Sequence, residues 1–74
     1  MGTMITQRTA QDGYHAQLIA QGMEDAGAEV FSIVNDGSGY LQVFCKHGKA
    51  VSVDMIDSRI SSTIASRAAY YQAV

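Results

Sequence analysis

The chain contains no proline, no tryptophan and a single cysteine, and only 16% of its 74 residues are charged. One cysteine cannot close an internal disulfide, and a structural zinc site ordinarily takes four Cys or His ligands. No apolar run approaches the roughly 18 residues that cross a bilayer. The N-terminal stretch has neither the basic region nor the apolar core of a secretory signal. A formal charge of −2 gives no basic footprint for nucleic acid and too little acid to imitate it. These absences point to a cytoplasmic chain with no membrane segment, no cofactor and no metal.

What is present is apolar: 47% of the residues are hydrophobic, a globular proportion that speaks against disorder. The length suits one small domain over residues 4–74, with Met4 as the expected natural start and residues 1–3 as cloning-derived. Below about 70–80 residues one core rarely supplies more than ~3–5 kcal/mol, so such chains add disulfides, metals or a second subunit. Only the last of these props is open here, and it favours a homodimer.

Periodicity divides the chain into five elements. Tyr14, Leu18, Ile19, Gly22, Met23 and Ala26 form one apolar band at 100° per residue, with Gln17, Gln21 and Glu24 opposite, which predicts a helix from Ala10 to Ala26. Thr9 or Asp12 would cap it, and Gly27 would stop it. Glu29 to Val34 is β-branched and aromatic and runs into Asn35-Asp36-Gly37-Ser38-Gly39, a strong turn signal. Tyr40 to Cys45 is the second expected strand. Lys46-His47-Gly48-Lys49 reads as a hairpin loop, and Ala50 to Met55 alternates as a third strand. Ile60, Ile64, Ala68 and Tyr71 then predict a helix from Arg59 to Gln72, capped by Asp57 or Ser58. The expected fold is α+β in the order αβββα, a three-stranded antiparallel meander packed by an N-terminal and a C-terminal helix.

Pairing Asn35 with Tyr40 sets Phe31 against Phe44, Val30 against Cys45 and Glu29 against Lys46, the last an opposite-charge pair. One sheet face then carries Phe31, Ile33, Tyr40, Phe44, Val51, Val53 and Met55 and is expected to be the core. The other carries Val30, Val34, Leu41, Val43 and Cys45. Left in contact with water, those five would form a contiguous patch of the kind that marks an interface, so they are the expected dimer surface.

Few residues suggest chemistry. Cys45 and His47 stand two apart on one strand side, and a thiolate–imidazole pair is the minimum for nucleophilic catalysis. No cysteine-enzyme signature surrounds them, His47 falls in the expected turn, and a free strand cysteine is ordinarily a small buried hydrophobe. Cys45, His47, His15 and Asp54 match no metal-ligand spacing. His15 falls inside the apolar band, where a ring bonded to backbone or water is the plain reading and a pH sensor the sharper one. Gly37-Ser38-Gly39 joins two strands and does not lead into a helix, so it serves a hairpin and not a phosphate loop.

The outer side of the last helix is the remaining candidate. Arg59, Thr63, Ser66 and Tyr70 stand at helical spacing with Arg67 on the flank, and arginine and tyrosine are enriched at protein interfaces. An ordinary solvated helix face has the same hydroxyl-rich composition. The acidic Glu24, Asp25 and Glu29 oppose a phosphate backbone. The sequence thus leads to a non-enzymatic interaction module that binds itself and an unidentified protein. One rival is a small-molecule pocket lined by Tyr14, His15, Met23, Phe31, Phe44, Met55 and Tyr71. The other is a nucleic-acid contact through Lys46, Lys49, Arg59 and Arg67.

Overall fold

A computed structural model describes residues 2–73 of the chain, and the side chains of residues 2–67. It shows an α+β fold in which three antiparallel strands are accompanied by an N-terminal and a C-terminal helix. The elements are β1 (Met4–Ala10), α1 (Gly13–Asp25), β2 (Glu29–Asn35), β3 (Leu41–His47) and α2 (Val53–Ala73), and the sheet order is β1-β3-β2. The class matches the expectation, but the order is βαββα. The third strand comes from the N-terminus and not from Ala50 to Met55.

Both changes have local causes. In β1, Ile5, Gln7 and Thr9 alternate with Thr6, Arg8 and Ala10, a pleated strand whose signal is weak because most of its positions are polar. It aligns with the whole of β3, from Met4 opposite His47 to Ala10 opposite Leu41. After β3 the chain turns at Gly48, where the Val51 N–H donates to the Gly48 carbonyl at 3.3 Å. Ser52 then caps α2, its Oγ accepting from the Met55 N–H at 3.1 Å. Val51, Val53 and Met55 alternate like a strand, but the cap starts a helix whose Ile56, Ile60 and Ile64 fall at i+4 spacing. That continuous stripe outweighs a five-residue alternation.

The C-terminal end of α1 follows the sequence, while its start lies at Gly13 and not at Ala10, which closes β1. Asp12 is the N-cap, its side chain accepting from the His15 N–H at 2.8 Å. At the other end Gly27 takes φ +99°. The Gly27 N–H donates to the Glu24 carbonyl at 3.0 Å and the Ala28 N–H to the Met23 carbonyl at 3.0 Å, a Schellman closure. The β2–β3 register begins as expected, with Glu29 opposite Lys46 and Val30 opposite Cys45. A bulge between Val30 and Ser32 then shifts it by one, so that Ser32 and not Phe31 opposes Phe44.

Both helices lie on one side of the sheet. α1 rests on all three strands, and α2 packs chiefly on α1. The core comprises Ala16, Ile19, Met23 and Ala26 of α1 and its end, Ile56 and Ile60 of α2, and Ala10, Val43 and Cys45 of the sheet. Its residues are small where elements meet. A Cβ on Gly22 would lie 2.5 Å from Ile60 Cα, so α1 and α2 touch backbone to backbone there.

The covered side of the sheet is the one expected to be open. Val43 and Cys45 are 0% exposed beneath α1, and Val30 and Leu41 are half-buried beside them. The expected dimer surface of Val30, Val34, Leu41, Val43 and Cys45 is therefore not a patch on the molecule. Val34 is the exception: the bulge turns it to the other side, where it is exposed. Phe31, Ile33 and Tyr40, expected in the core, are each about half exposed. The reason is the displaced third strand. Without Val51, Val53 and Met55, the Phe44 side has β1's Ile5, Gln7 and Thr9 as its third row, and helices settle on the side with the smaller, closer-packing residues.

Candidate functional site

The two histidines and the cysteine are structural in their geometry. Cys45 lies in the core, where burial pushes its thiol above the ordinary range, the reverse of what a thiolate nucleophile needs. His47 is the last residue of β3 and 4% exposed, not a turn residue. Its Nδ1 lies 2.9 Å from the Val51 carbonyl, which can only accept, so Nδ1 carries the proton. Its Nε2 lies 2.7 Å from Thr6 Oγ1 and hydrogen-bonds to that hydroxyl. Both ring nitrogens are thus committed, and His47 ties β1, β3 and the loop into α2 together. His15 stands at the start of α1, its Nδ1 accepting from the Gln11 N–H at 3.0 Å. Among the described residues, no three of His, Cys, Asp and Glu come together as a metal site.

The glycine loop behaves as a hairpin. Asn35 Oδ1 accepts from the Gly37 N–H and Asp36 Oδ1 from the Ser38 N–H, while Gly37 and Gly39 take positive φ. Asp36 also accepts from the Ser38 hydroxyl and from Gln42 Nε2, and these bonds hold its carboxyl below the usual range.

On the helical side, Arg59, Thr63, Ser66 and Arg67 do converge. With Ser62 of α2 and Gln21 and Asp25 of α1 they line a shallow groove of about 310 Å³ between the helices. Tyr70, the fifth residue of that set, lies outside the described side chains. The groove is of mixed sign. Arg59 and Arg67 share its lining with Asp25, the last residue of α1, where the helix dipole already favours cations. The residues suggested for nucleic-acid contact are divided: Lys46 is on the bare side of the sheet, 3.5 Å from Glu29, while Arg59 and Arg67 are in the helical groove. The residues suggested for an apolar pocket are likewise dispersed. Met23 is in the core, Phe31 and Phe44 are on the far side of the sheet, Tyr14 and Met55 are exposed, and the Tyr71 side chain is not described.

The bare side of the sheet is the feature that sequence reasoning assigned to the core. Its two halves differ. Toward β1 it is polar and internally bonded: Gln42 Oε1 accepts from Gln7 Nε2 at 2.6 Å and from Thr9 Oγ1 at 2.9 Å. Toward β2 it is apolar, with Phe31 (49% exposed) and Val34 (43%) beside a half-buried Phe44. The Phe31 and Phe44 rings stand 6.2 Å apart at 44°. On the opposite face of the same strand Ile33 is 48% exposed. The bulge at Phe31 was the hidden signal, since strict alternation cannot place Phe31 and Val34 on one side. No known protein family, curated protein or solved structure matches this chain.

Proposed function

We propose that the chain is a small, cytoplasmic, non-enzymatic interaction module that forms a homodimer and regulates or adapts a protein partner by surface binding. The observation behind this reading is the apolar surface on β2, where Phe31, Ile33 and Val34 are each about half exposed. Large apolar side chains gathered on one strand of a soluble domain mark a contact site far more often than they mark waste. The helical groove with Arg59, Thr63, Ser66 and Arg67 is the second contact surface, the one for the protein partner, because its donors and hydroxyls suit a polar interface rim. The buried cysteine with a raised thiol pKa agrees with a non-catalytic role.

Light scattering across the micromolar range, with affinity capture from the source cells by wild type and by Arg59→Ala, tests both halves. The expected result is a mass above that of the 7.9 kDa monomer and a discrete protein retained by wild type and weakened by the variant. A monomer that retains no protein overturns the reading.

A further inference from the structure

The positive charges of the chain are not all engaged alike. Of its five Lys and Arg side chains, Arg8 is held by Asp57 of α2 through Nε–Oδ1 and Nη2–Oδ2 bonds of 2.8 and 2.9 Å, and Lys46 stands 3.5 Å from Glu29. Those are the two ion pairs among the described residues. Arg59 and Arg67 belong to neither, and both line the groove between α1 and α2. The one carboxylate that shares the groove, Asp25, has its Oδ1 bonded to Gln21 Nε2 at 2.9 Å. Two exposed arginines therefore share a groove with one carboxylate, and the helix segment between them adds the hydroxyls of Ser62, Thr63 and Ser66. On a chain of net charge −2 this is a local excess of positive charge.

We infer that this groove takes an extended acidic segment of the protein partner, with two carboxylates four residues apart, one on Arg59 and one on Arg67. The inference rests on the reading of the groove as the partner's contact surface, and it names what that partner presents. α2 carries the two arginines eight positions apart, about 12 Å along its axis. In an extended peptide, residues four apart lie on one face and about 13 Å from each other. A guanidinium pairs with a carboxylate through two parallel N–H···O bonds. Serine and threonine hydroxyls both donate and accept, so those between the arginines suit the N–H and C=O groups of an extended backbone. A helix is a poorer occupant, because it docks by burying an apolar stripe and every residue lining this groove is polar. A nucleic-acid strand is poorer too. Its closely spaced phosphates would meet Asp25 as well as the arginines, whereas a peptide can set a neutral residue there. Asp54 shares the next depression with Arg59, so the favoured stretch ends at Arg59 and does not run past it.

The test is a titration of the isotope-labelled chain at low salt with the peptide acetyl-Ser-Glu-Gly-Ser-Gly-Glu-Ser-amide, followed through the backbone amide signals. Three further probes accompany it: the same peptide with glutamine for glutamate, an isomer with its two glutamates adjacent, and single-stranded oligothymidine. Expected are shifts centred on residues 59–67 and on Gln21 and Asp25, weakened by added salt, with both control peptides binding less tightly. Arg59→Gln and Arg67→Gln should each weaken the peptide about fivefold, and Asp25→Asn should tighten it. All three positions are exposed, and circular dichroism matching wild type shows that each variant is folded. Three results each overturn the inference: equal binding of either control peptide, an affinity indifferent to both arginine variants, or oligothymidine held in the groove more tightly than the peptide. Affinity capture tests the underlying reading separately. A protein retained by wild type and weakened by Arg59→Ala leaves the contact surface standing even when the peptide fails. Capture of no protein by wild type overturns that surface even when the peptide binds.

Discussion

Replacing Gly22 by alanine should loosen the molecule at its tightest point. The new Cβ would stand 2.5 Å from Ile60 Cα, 2.7 Å from Ile60 N and 2.8 Å from Ile60 Cγ1, whereas ordinary contact begins near 3.4 Å. The shortfall against backbone is 3.4 − 2.5, or about 0.9 Å, and a backbone atom cannot rotate away as a side-chain end can. The helices must part by roughly that distance, and a 0.5–1 Å gap forfeits a quarter to a half of each dispersion contact it opens. Overpacking of this depth costs about 3 kcal/mol, the upper part of the usual range. Alanine in mid-helix returns about 1 kcal/mol relative to glycine. The net loss is then about 2 kcal/mol, and at ~4–8 °C per kcal/mol for a domain of this size the melting midpoint falls by roughly 8–16 °C. Thermal and urea melts followed by circular dichroism, at one fixed protein concentration, measure it. Gly13→Ala is the control: at that helix start a Cβ meets nothing within 4 Å, so it should be neutral or slightly stabilising. A Gly22→Ala protein as stable as wild type would refute the close helix crossing.

Other perturbations reach different parts of the same frame. His47→Ala removes a buried ring bonded to Thr6 and to the Val51 carbonyl, and urea titration should show a loss of about 2–3 kcal/mol with any binding activity retained at low denaturant. Val43→Glu places a carboxylate at a fully buried position, so it should unfold the chain outright and not merely dissociate a dimer; a folded monomer by gel filtration would contradict the observed burial. Asp57 has its carboxyl held below the usual value of 3.8 by the Arg8 hydrogen bonds. A depressed folded-state value gives stability that is present above the unfolded value and lost as pH falls through the folded one. Wild type should therefore lose stability relative to Arg8→Ala on acidification below about pH 4, by no more than ~1 kcal/mol because both partners are a third to a half exposed. The Cys45 thiol should react with a chromogenic disulfide reagent only at the rate of unfolding, and fast labelling of the native protein would show an opening at β3.

Elements with a cap and a long period were legible from the residues. Asp12, the apolar stripe from Ile19 to Ala26 and the Gly27 stop define α1 because each acts within a turn of the helix. The pairing of Glu29 with Lys46 was legible from opposite charge, although beside the loop Asn35 opposes Leu41 and not the expected Tyr40, and only the bulge at Phe31 restores the expected register at the far end. β1 was not. Its inward residues are Thr6, Arg8 and Ala10, and only their distant partners, His47 across 41 positions and Asp57 across 49, make such a strand worth burying. Alternation alone misled at residues 50–55, where a serine hydroxyl on one amide decides between strand and helix.

The candidate surfaces divide along the same line. Spacing of four and three on one helix was enough to bring Arg59, Thr63, Ser66 and Arg67 to one groove, because a helix converts sequence distance into a face without help from the rest of the chain. A sheet gives no such guarantee. Which side is covered depends on what the helices can fill, and α1 brings Ala16, Ile19 and Met23 to the core while its Gly22 meets Ile60 of α2. Those side chains share the core with Val43, Cys45 and Ala10 of the sheet. The rule that the richest apolar face is the core fails here because the polar N-terminal strand, and not Ala50 to Met55, completes the sheet, which leaves the Phe31 and Phe44 side without its expected third row. The same reasoning makes the bare side informative. A chain that needed only to fold could carry threonine at Phe31 and Val34 without loss to its core, so the free energy those side chains leave unused within the monomer is available to a contact between molecules.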